Sequence, residues 1–251
     1  MTEPFIRFLD LHKAFAGRPV LTGVNLDIGR GESVVILGGS GSGKSVLLRH
    51  AIALHRPDRG QVFVDGIEIS GLEEEQLLDT RKKVGMLFQA GALFDSMSVY
   101  RNVAFPLHEH TDWPEEKVAA RVSEVLSLVE LSGVEDKMPA DLSGGMRKRV
   151  ALARSIALAP QAVLYDEPTT GLDPANQRRI GDMIVTLQSE LHVTSVVVTH
   201  ELDLCFAVSD RVALLKEGRI AAEGTADEMR ESQNPDVRDF LDGVRDTPDD
   251  L

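Results

Sequence analysis

The stretch GGSGSGKS, Gly38 to Ser45, sets a lysine and a hydroxyl directly after a run of glycines and serines. It fits the G-x-x-x-x-G-K-[ST] pattern of loops that cradle phosphates. In such a loop Gly38, Gly39, Ser40, Gly41, Ser42 and Gly43 let the backbone turn tightly, so that successive N–H groups face a β-phosphate. The helix opening at Lys44, Ser45 and Val46 adds its partial positive charge. Lys44 reaches the β- and γ-phosphates as a point charge, and the Ser45 hydroxyl takes a place on Mg²⁺. A merely flexible loop would leave the lysine at that offset unexplained. A second stretch, AVLYDEP, is an apolar strand ending in two acids. Asp166 suits a cation held through its water shell. Glu167 points elsewhere and is placed to polarise an attacking water, an assistance worth roughly 10² to 10⁴ in rate, or about 3 to 5 kcal/mol of barrier. The competing reading of DEP is a solvent-exposed acidic turn.

Further motifs fall in order along the chain. LSGGM, Leu142 to Met146, precedes the helical pattern RKRVALARSIALAP. Gln89 ends VGMLFQ, Asp173 lies in TGLDP, His200 ends TSVVVTH, and Phe15 stands near the amino terminus. Taken singly these are weak, since a lone histidine is usually structural. As an ordered set from Phe15 to His200 they closely resemble ABC-type ATPases, whose signature is usually written LSGGQ. The resemblance implies an α/β, P-loop NTPase, ABC-ATPase fold: a RecA-like core with an antiparallel β subdomain and an inserted helical subdomain. It also implies ATP and Mg²⁺ as ligands. Phe15 would stack on the adenine, and Ser45, Gln89 and Asp166 would serve the metal. Glu167 and His200 would act at the γ-phosphate beside Lys44, and Gln89 would sense the metal and the water. Ser143, Gly144, Gly145 and Asp173 would serve the ATP of a second copy in a head-to-tail dimer. The departure from the family pattern is Met146 in place of glutamine; the phosphate-contacting residues before it are intact.

The stretch QAGALFDSMSVYRNVAFP, Gln89 to Pro106, is rich in apolar and aromatic residues. In ABC transporters a permease helix docks beside this glutamine. The resemblance therefore implies a membrane partner here, with Phe94, Met97, Val99 and Tyr100 partly exposed until it arrives; the competing reading packs part of the stretch inside the helical subdomain. FQAGALFDSMSVYRNVAFPL, LSGGM and YDEPTTGLDP together look like the ATPases of Mla-type and Mce-type lipid transporters. That likeness implies a peripheral position on the cytoplasmic face of the inner membrane. The other parts would be an integral-membrane permease, a periplasmic Mce-type lipid-binding protein and, in some members, a STAS-domain regulator.

These residues need elements to hold them. FIRFLDL and VLTGVNLDI alternate as strands around GRP, and SVVILG is a short apolar run suited to a strand buried on both faces. The pattern KSVLLRHAIAL predicts a helix that stops before Pro57. Asp65-Gly66 marks a hairpin in GQVFVDGIEI. GLEEEQLLDTRKK is helical, and from about Ser96 to Ala159 the patterns are helical too. AVLYDEP and TSVVVTH are strands around the helical PANQRRIGDMIVTLQSEL, and RVALLKEGRIAAEG closes as a hairpin. This alternation predicts an α/β core with parallel strands and an inserted helical subdomain at about 96–159. The ATPase domain is expected over 1–242, followed by an acidic, frayed tail at 243–251; NPDVRDFLDGV, Asn234 to Val244, also resembles the lipid-transporter group.

Composition sets the outer bounds. The chain has 251 residues, 43% of them hydrophobic, enough for a substantial core. No window has the length of apolar sequence that spans a bilayer, and the start shows no signal-peptide pattern. The lone Cys205 excludes an internal disulfide and fits a reducing compartment. A net charge of −13 argues against nucleic acid as a partner. The basic clusters Arg81–Lys83 and Met146–Arg149 read as solvated helix faces. Alternatives are the ATPase of a polar-solute importer, a soluble ABC ATPase acting on ribosomes or DNA, and a non-catalytic scaffold. The single phosphate loop and the acid Glu167 speak against the last two.

Overall fold

A computed structural model describes residues 3–245; of the expected acidic tail, residues 246–251 lie outside the described part. The chain divides into two compact units, 1–80 with 194–251, and 81–193.

In the first unit, alternation of buried and exposed side chains builds an antiparallel sheet. Strands β1 (Ile6–Phe15) and β2 (Arg18–Ile28) meet through the two-residue turn Ala16-Gly17, both at positive φ (48° and 77°). The turn therefore falls one residue earlier than GRP suggested. Strand β4 (Arg59–Val64) pairs with β1, and β5 (Ile67–Glu68) pairs with β4 across Asp65-Gly66. The latter pair has φ of 52° and 75°, as the Asp-Gly signal requires. Strand β3 (Ser33–Leu37) is buried at every residue and runs parallel to β8 (Thr194–Thr199) on one side and β9 (Arg211–Lys216) on the other. A strand buried on both faces can be apolar throughout, which is why SVVIL shows no alternation. Strand β10 (Arg219–Gly224) returns antiparallel to β9.

Helix α1 (Lys44–His50) packs on β8, but it is shorter than KSVLLRHAIAL predicted. Ala53 takes φ 53°, and the Leu54 N–H bonds the Arg49 carbonyl at 3.0 Å, so the chain leaves the helix well before Pro57. Helices α7 (Leu202–Val208) and α8 (Ala226–Glu231) have no counterpart in the sequence reading. Helix α9 (Pro235–Arg245) buries Val237 and Leu241 and packs on β10, while Lys216 pairs with Asp236 (2.7 Å) and Asp239 (3.4 Å). The first residues of the expected tail, 243–245, thus belong to a helix.

Helix α2 (Glu74–Lys82) runs out of the first unit, and in the second β6 (Val84–Leu87) pairs in parallel with β7 (Ala162–Asp166). Between them lie α3 (Val99–His110), α4 (Glu115–Leu128) and α5 (Gly144–Ile156), which pack on one another. Their core includes Val103, Leu107, Val122, Val125, Leu152 and Ile156, each essentially without exposed surface. Fully burying one such side chain contributes about 1.5–3 kcal/mol. Helix α6 (Pro174–Leu191) follows β7.

Candidate functional site

The phosphate loop leaves β3 at Gly38, where any side chain is excluded: a Cβ would stand 2.5 Å from the Leu215 carbonyl oxygen. Gly41 and Gly43 take φ of 76° and 103°, a left-handed backbone that glycine adopts without steric cost. At Gly39 and Gly41 an added Cβ would meet nothing within 4 Å, so the loop turns an open face outward. Lys44 is only 5% exposed, yet its ammonium is satisfied: Nζ donates to the carbonyls of Gly38 (2.7 Å) and Gly39 (3.0 Å). A flexible cation is thereby held against the loop it is expected to serve. Ser40 is exposed, Ser42, Ser45 and Val46 are half-buried, and the Val46 carbonyl accepts Nδ1–H of His50 (2.7 Å).

Phe15 ends β1 with 41% of its surface exposed, as a stacking platform requires. Its ring meets the edge of His55 (centroids 5.3 Å apart), and Lys13 lies 5.5 Å from its centroid. His55 stands 5.7 Å from His50, whose burial pushes it down to about 4, so that imidazole is neutral. His200 follows β8 directly and is exposed.

In the second unit the strand β7 delivers Asp166 almost wholly buried, at 1% exposure. Glu167, buried next to it, has φ 48°. A non-glycine residue in that region costs of order 1 kcal/mol or more, and surrounding bonds must hold it. Its carboxylate accepts from the Thr170 hydroxyl (3.2 Å), and its carbonyl from the Thr170 N–H (3.4 Å). Asp173 caps α6, accepting the N–H groups of Ala175 and Asn176 (3.1 Å each). The bond from the Asn176 side chain, with those backbone bonds, lowers its pKa. Ser143 caps α5, accepting the Met146 N–H (3.3 Å). Ser143 and Gly144 are exposed, whereas Gly145 faces Asn176, 2.7 Å from where its Cβ would stand.

Gln89 is exposed, just beyond β6. The loop that follows is held by three side chains the sequence reading passed over. Arg154 donates to the Gly91 carbonyl (3.0 Å) and lies 5.6 Å over the Phe94 ring. The wholly buried Asn102 accepts the Phe94 N–H (2.8 Å) and donates to the carbonyls of Phe94, Met97 and Ser98. Lys148 donates to the carbonyls of Gln89 and Glu167. The expectation of a partly exposed wall holds for Phe94 (40% exposed), Met97 and Tyr100, but not for Val99, which is fully buried in the helical core.

The reading of Met146–Arg149 as a solvated face holds for the exposed Arg147 but is overturned for Lys148 and Arg149. Lys148 and Arg149 are 7% and 8% exposed, and Arg149 donates to the carbonyls of Val129 (3.3 Å) and Glu130 (3.0 Å). The signal was present in the spacing. Gly145, Lys148, Arg149, Leu152 and Ile156 fall at helical intervals on one buried stripe. Arg81–Lys83 are half-buried.

The pattern of the family described as "ABC transporter" matches residues 21–170. The "Probable ribonucleotide transport ATP-binding protein mkl" of Mycobacterium leprae is 42% identical over 94% of this chain and 68% of its own length. The "Intermembrane phospholipid transport system ATP-binding protein MlaF" of Haemophilus influenzae is 38% identical over 99% of this chain and 94% of its own. Among solved structures, the dimeric post-hydrolysis state of the ATP-binding cassette MJ0796, bound to ADP and Pi, superposes with a TM-score of 0.81 at 32% identity. It covers 88% of this chain and 98% of its own.

Proposed function

The chain belongs to the ABC transporter family, and on that premise we propose that it is the ATP-hydrolysing motor of a transporter that moves phospholipids between two membranes. The observation that carries this reading is the end-to-end match to a relative named for intermembrane phospholipid transport. The geometry of the phosphate loop agrees: a buried lysine rests on carbonyls that phosphate oxygens can replace.

On this reading Lys44 exchanges the carbonyls of Gly38 and Gly39 for the β- and γ-phosphates, while the loop from Gly38 to Val46 wraps the phosphate chain. Phe15 stacks on the adenine. Ser45, Asp166 and Gln89 supply hard oxygen donors for Mg²⁺. Held by those residues, the metal would supply positive charge to offset the charge of the phosphates. Glu167 orients the attacking water and takes its proton as the water oxygen bonds to the γ-phosphorus. The bond from that phosphorus to the bridging oxygen breaks, ADP leaves with that oxygen and its electron pair, and His200 contacts the γ-phosphate. Ser143, Gly144, Gly145 and Asp173 of a second copy serve the same ATP. Two copies therefore close head-to-tail around two nucleotides and open when the γ-phosphate is lost.

Among the described residues no helix is long and apolar enough to cross a membrane. A permease would dock on Gln89–Pro106 against Phe94, Met97 and Tyr100. The motor sits at the cytoplasmic face of the inner membrane, with a periplasmic Mce-type protein and a STAS-domain regulator as further partners. A second reading follows from the name of the mycobacterial relative, in which the cargo is a ribonucleotide. Pull-down of the tagged chain from gently solubilised inner membranes separates the two. A permease with a periplasmic lipid-binding protein is the expected catch. A permease with a solute-binding protein favours the ribonucleotide reading, and recovery only from the soluble fraction contradicts transport.

A further inference from the structure

Lys148 is a buried cation on the first turns of the signature helix α5, and its ammonium makes two long-range bonds. One goes to the Gln89 carbonyl, 59 residues away in sequence, and the other to the Glu167 carbonyl, 19 residues away, at 3.3 Å. These two segments are otherwise unlike. Gln89 lies in an exposed loop after β6, whereas Glu167 is buried at the end of β7 with a left-handed backbone, φ 48°. The neighbouring Arg149 shows what a purely structural cation looks like in this helix, since it closes the end of α4 through the carbonyls of Val129 and Glu130. Lys148 instead ends on the main chain of the two residues assigned to metal sensing and water activation.

We propose that Lys148 is a positioning residue for ATP hydrolysis, a single ammonium that fixes the backbones of Gln89 and Glu167 to the helix that begins at Ser143. The inference rests on the assignment of Glu167 and Gln89 made above. The physical argument is one of leverage. An ammonium offers three donors from one point, so two carbonyls bonded to it cannot move independently of it or of each other. A displacement of α5 is therefore felt at both residues. Removing the tie releases a strained backbone just where the carboxylate must be placed closely, and errors of about 1 Å in such placement cost up to about 100-fold in rate. Lys148 is buried and bonds main chain rather than any group assigned to the nucleotide, so nucleotide affinity is expected to be spared.

The test is steady-state ATP hydrolysis by the purified full-length chain carrying Lys148→Met, Lys148→Gln or Glu167→Gln. The expected result is a kcat about 10- to 100-fold down in Lys148→Met with KM for ATP within about twofold of the parent. Lys148→Gln keeps an N–H donor and recovers most of the loss. Wild-type kcat in Lys148→Met, with Glu167→Gln inactive, overturns the role of Lys148 alone. Equal losses in kcat and affinity, with no recovery in Lys148→Gln, make Lys148 merely structural and also overturn it. Full turnover in Glu167→Gln removes the underlying assignment, and the proposal with it. If Lys148→Met does not fold, amide hydrogen exchange in Lys148→Gln decides. Faster exchange confined to the segments around Gln89 and Glu167 supports the tie, and unchanged or uniformly faster exchange refutes it.

Discussion

Two buried lysines, one in each compact unit, are satisfied in the same way and differ in what that leaves them able to do. Lys44 and Lys148 are 5% and 7% exposed, and each gives its ammonium to two main-chain carbonyls. For Lys44 both carbonyls belong to its own loop, five and six residues back. The loop's face is open at Gly39 and Gly41, and on the proposed reading an anion would take over the ammonium there. For Lys148 the two acceptors come from remote segments, 59 and 19 residues away in sequence. A buried ammonium without partners is prohibitively costly, so both must be paired. The first is paired in a way that an arriving phosphate can replace, and the second in a way that fastens the fold. Chemistry and architecture thus use the same residue type, and partner distance along the chain separates the two uses.

The contrast can be broken most sharply at Lys44. Lys44→Ala should abolish measurable nucleotide binding in a fluorescent-ATP titration and lower turnover by about 10² to 10³-fold or more. Binding that survives would mean that Lys44 does not hold the phosphates. Lys148→Met comes next, with turnover lost and binding kept. Gly43→Ala probes the loop rather than the cation. Its φ of 103° and the 3.0 Å approach of an added Cβ to Leu21 predict a loss of about 1–3 kcal/mol, read as a fall in Tm of several degrees. An unchanged Tm would show that the loop relaxes freely.

The smallest expected effect lies behind the loop, at His50. Its pKa falls from 6.5 to about 4, first because of burial, against the raising effect of the bond to Val46. The unfolded chain therefore takes up this proton at a higher pH than the folded one. The contribution of neutral His50 is complete above pH 6.5 and is lost as pH falls toward 4, about 1 kcal/mol of it between pH 6.5 and 5.5. Urea unfolding of the parent and of His50→Gln over that range should differ by this slope. Parallel pH profiles would show that His50 is free to ionise in the folded chain.

Local chemistry was the legible part of the sequence. The phosphate loop, the Asp65-Gly66 turn and the uniformly apolar β3 are dictated by residues within a few positions of one another. Three features were not. α1 ends sooner than its sequence pattern predicts because a left-handed Ala53 carries no signature in its side chain. α7 and α8, of seven and six residues, are too short for periodicity to register. Val99, Lys148 and Arg149 are buried where residue type alone suggests a docking surface or solvent, because position on the helix decides: the stripe through Gly145, Leu152 and Ile156 points Lys148 and Arg149 inward. The backbone carbonyls that satisfy them lie far along the chain, where no spacing rule reaches.

The central claim is that this chain closes around ATP as a pair of copies and hydrolyses it through Glu167. Glu167→Gln tests it most directly, because binding survives while water activation fails. Sedimentation of that variant with ATP and Mg²⁺ should give a stable dimer that reverts to monomer when ATP is withdrawn, while the parent chain turns over. A variant that binds ATP and stays monomeric, or that still releases phosphate at the parental rate, would contradict the account.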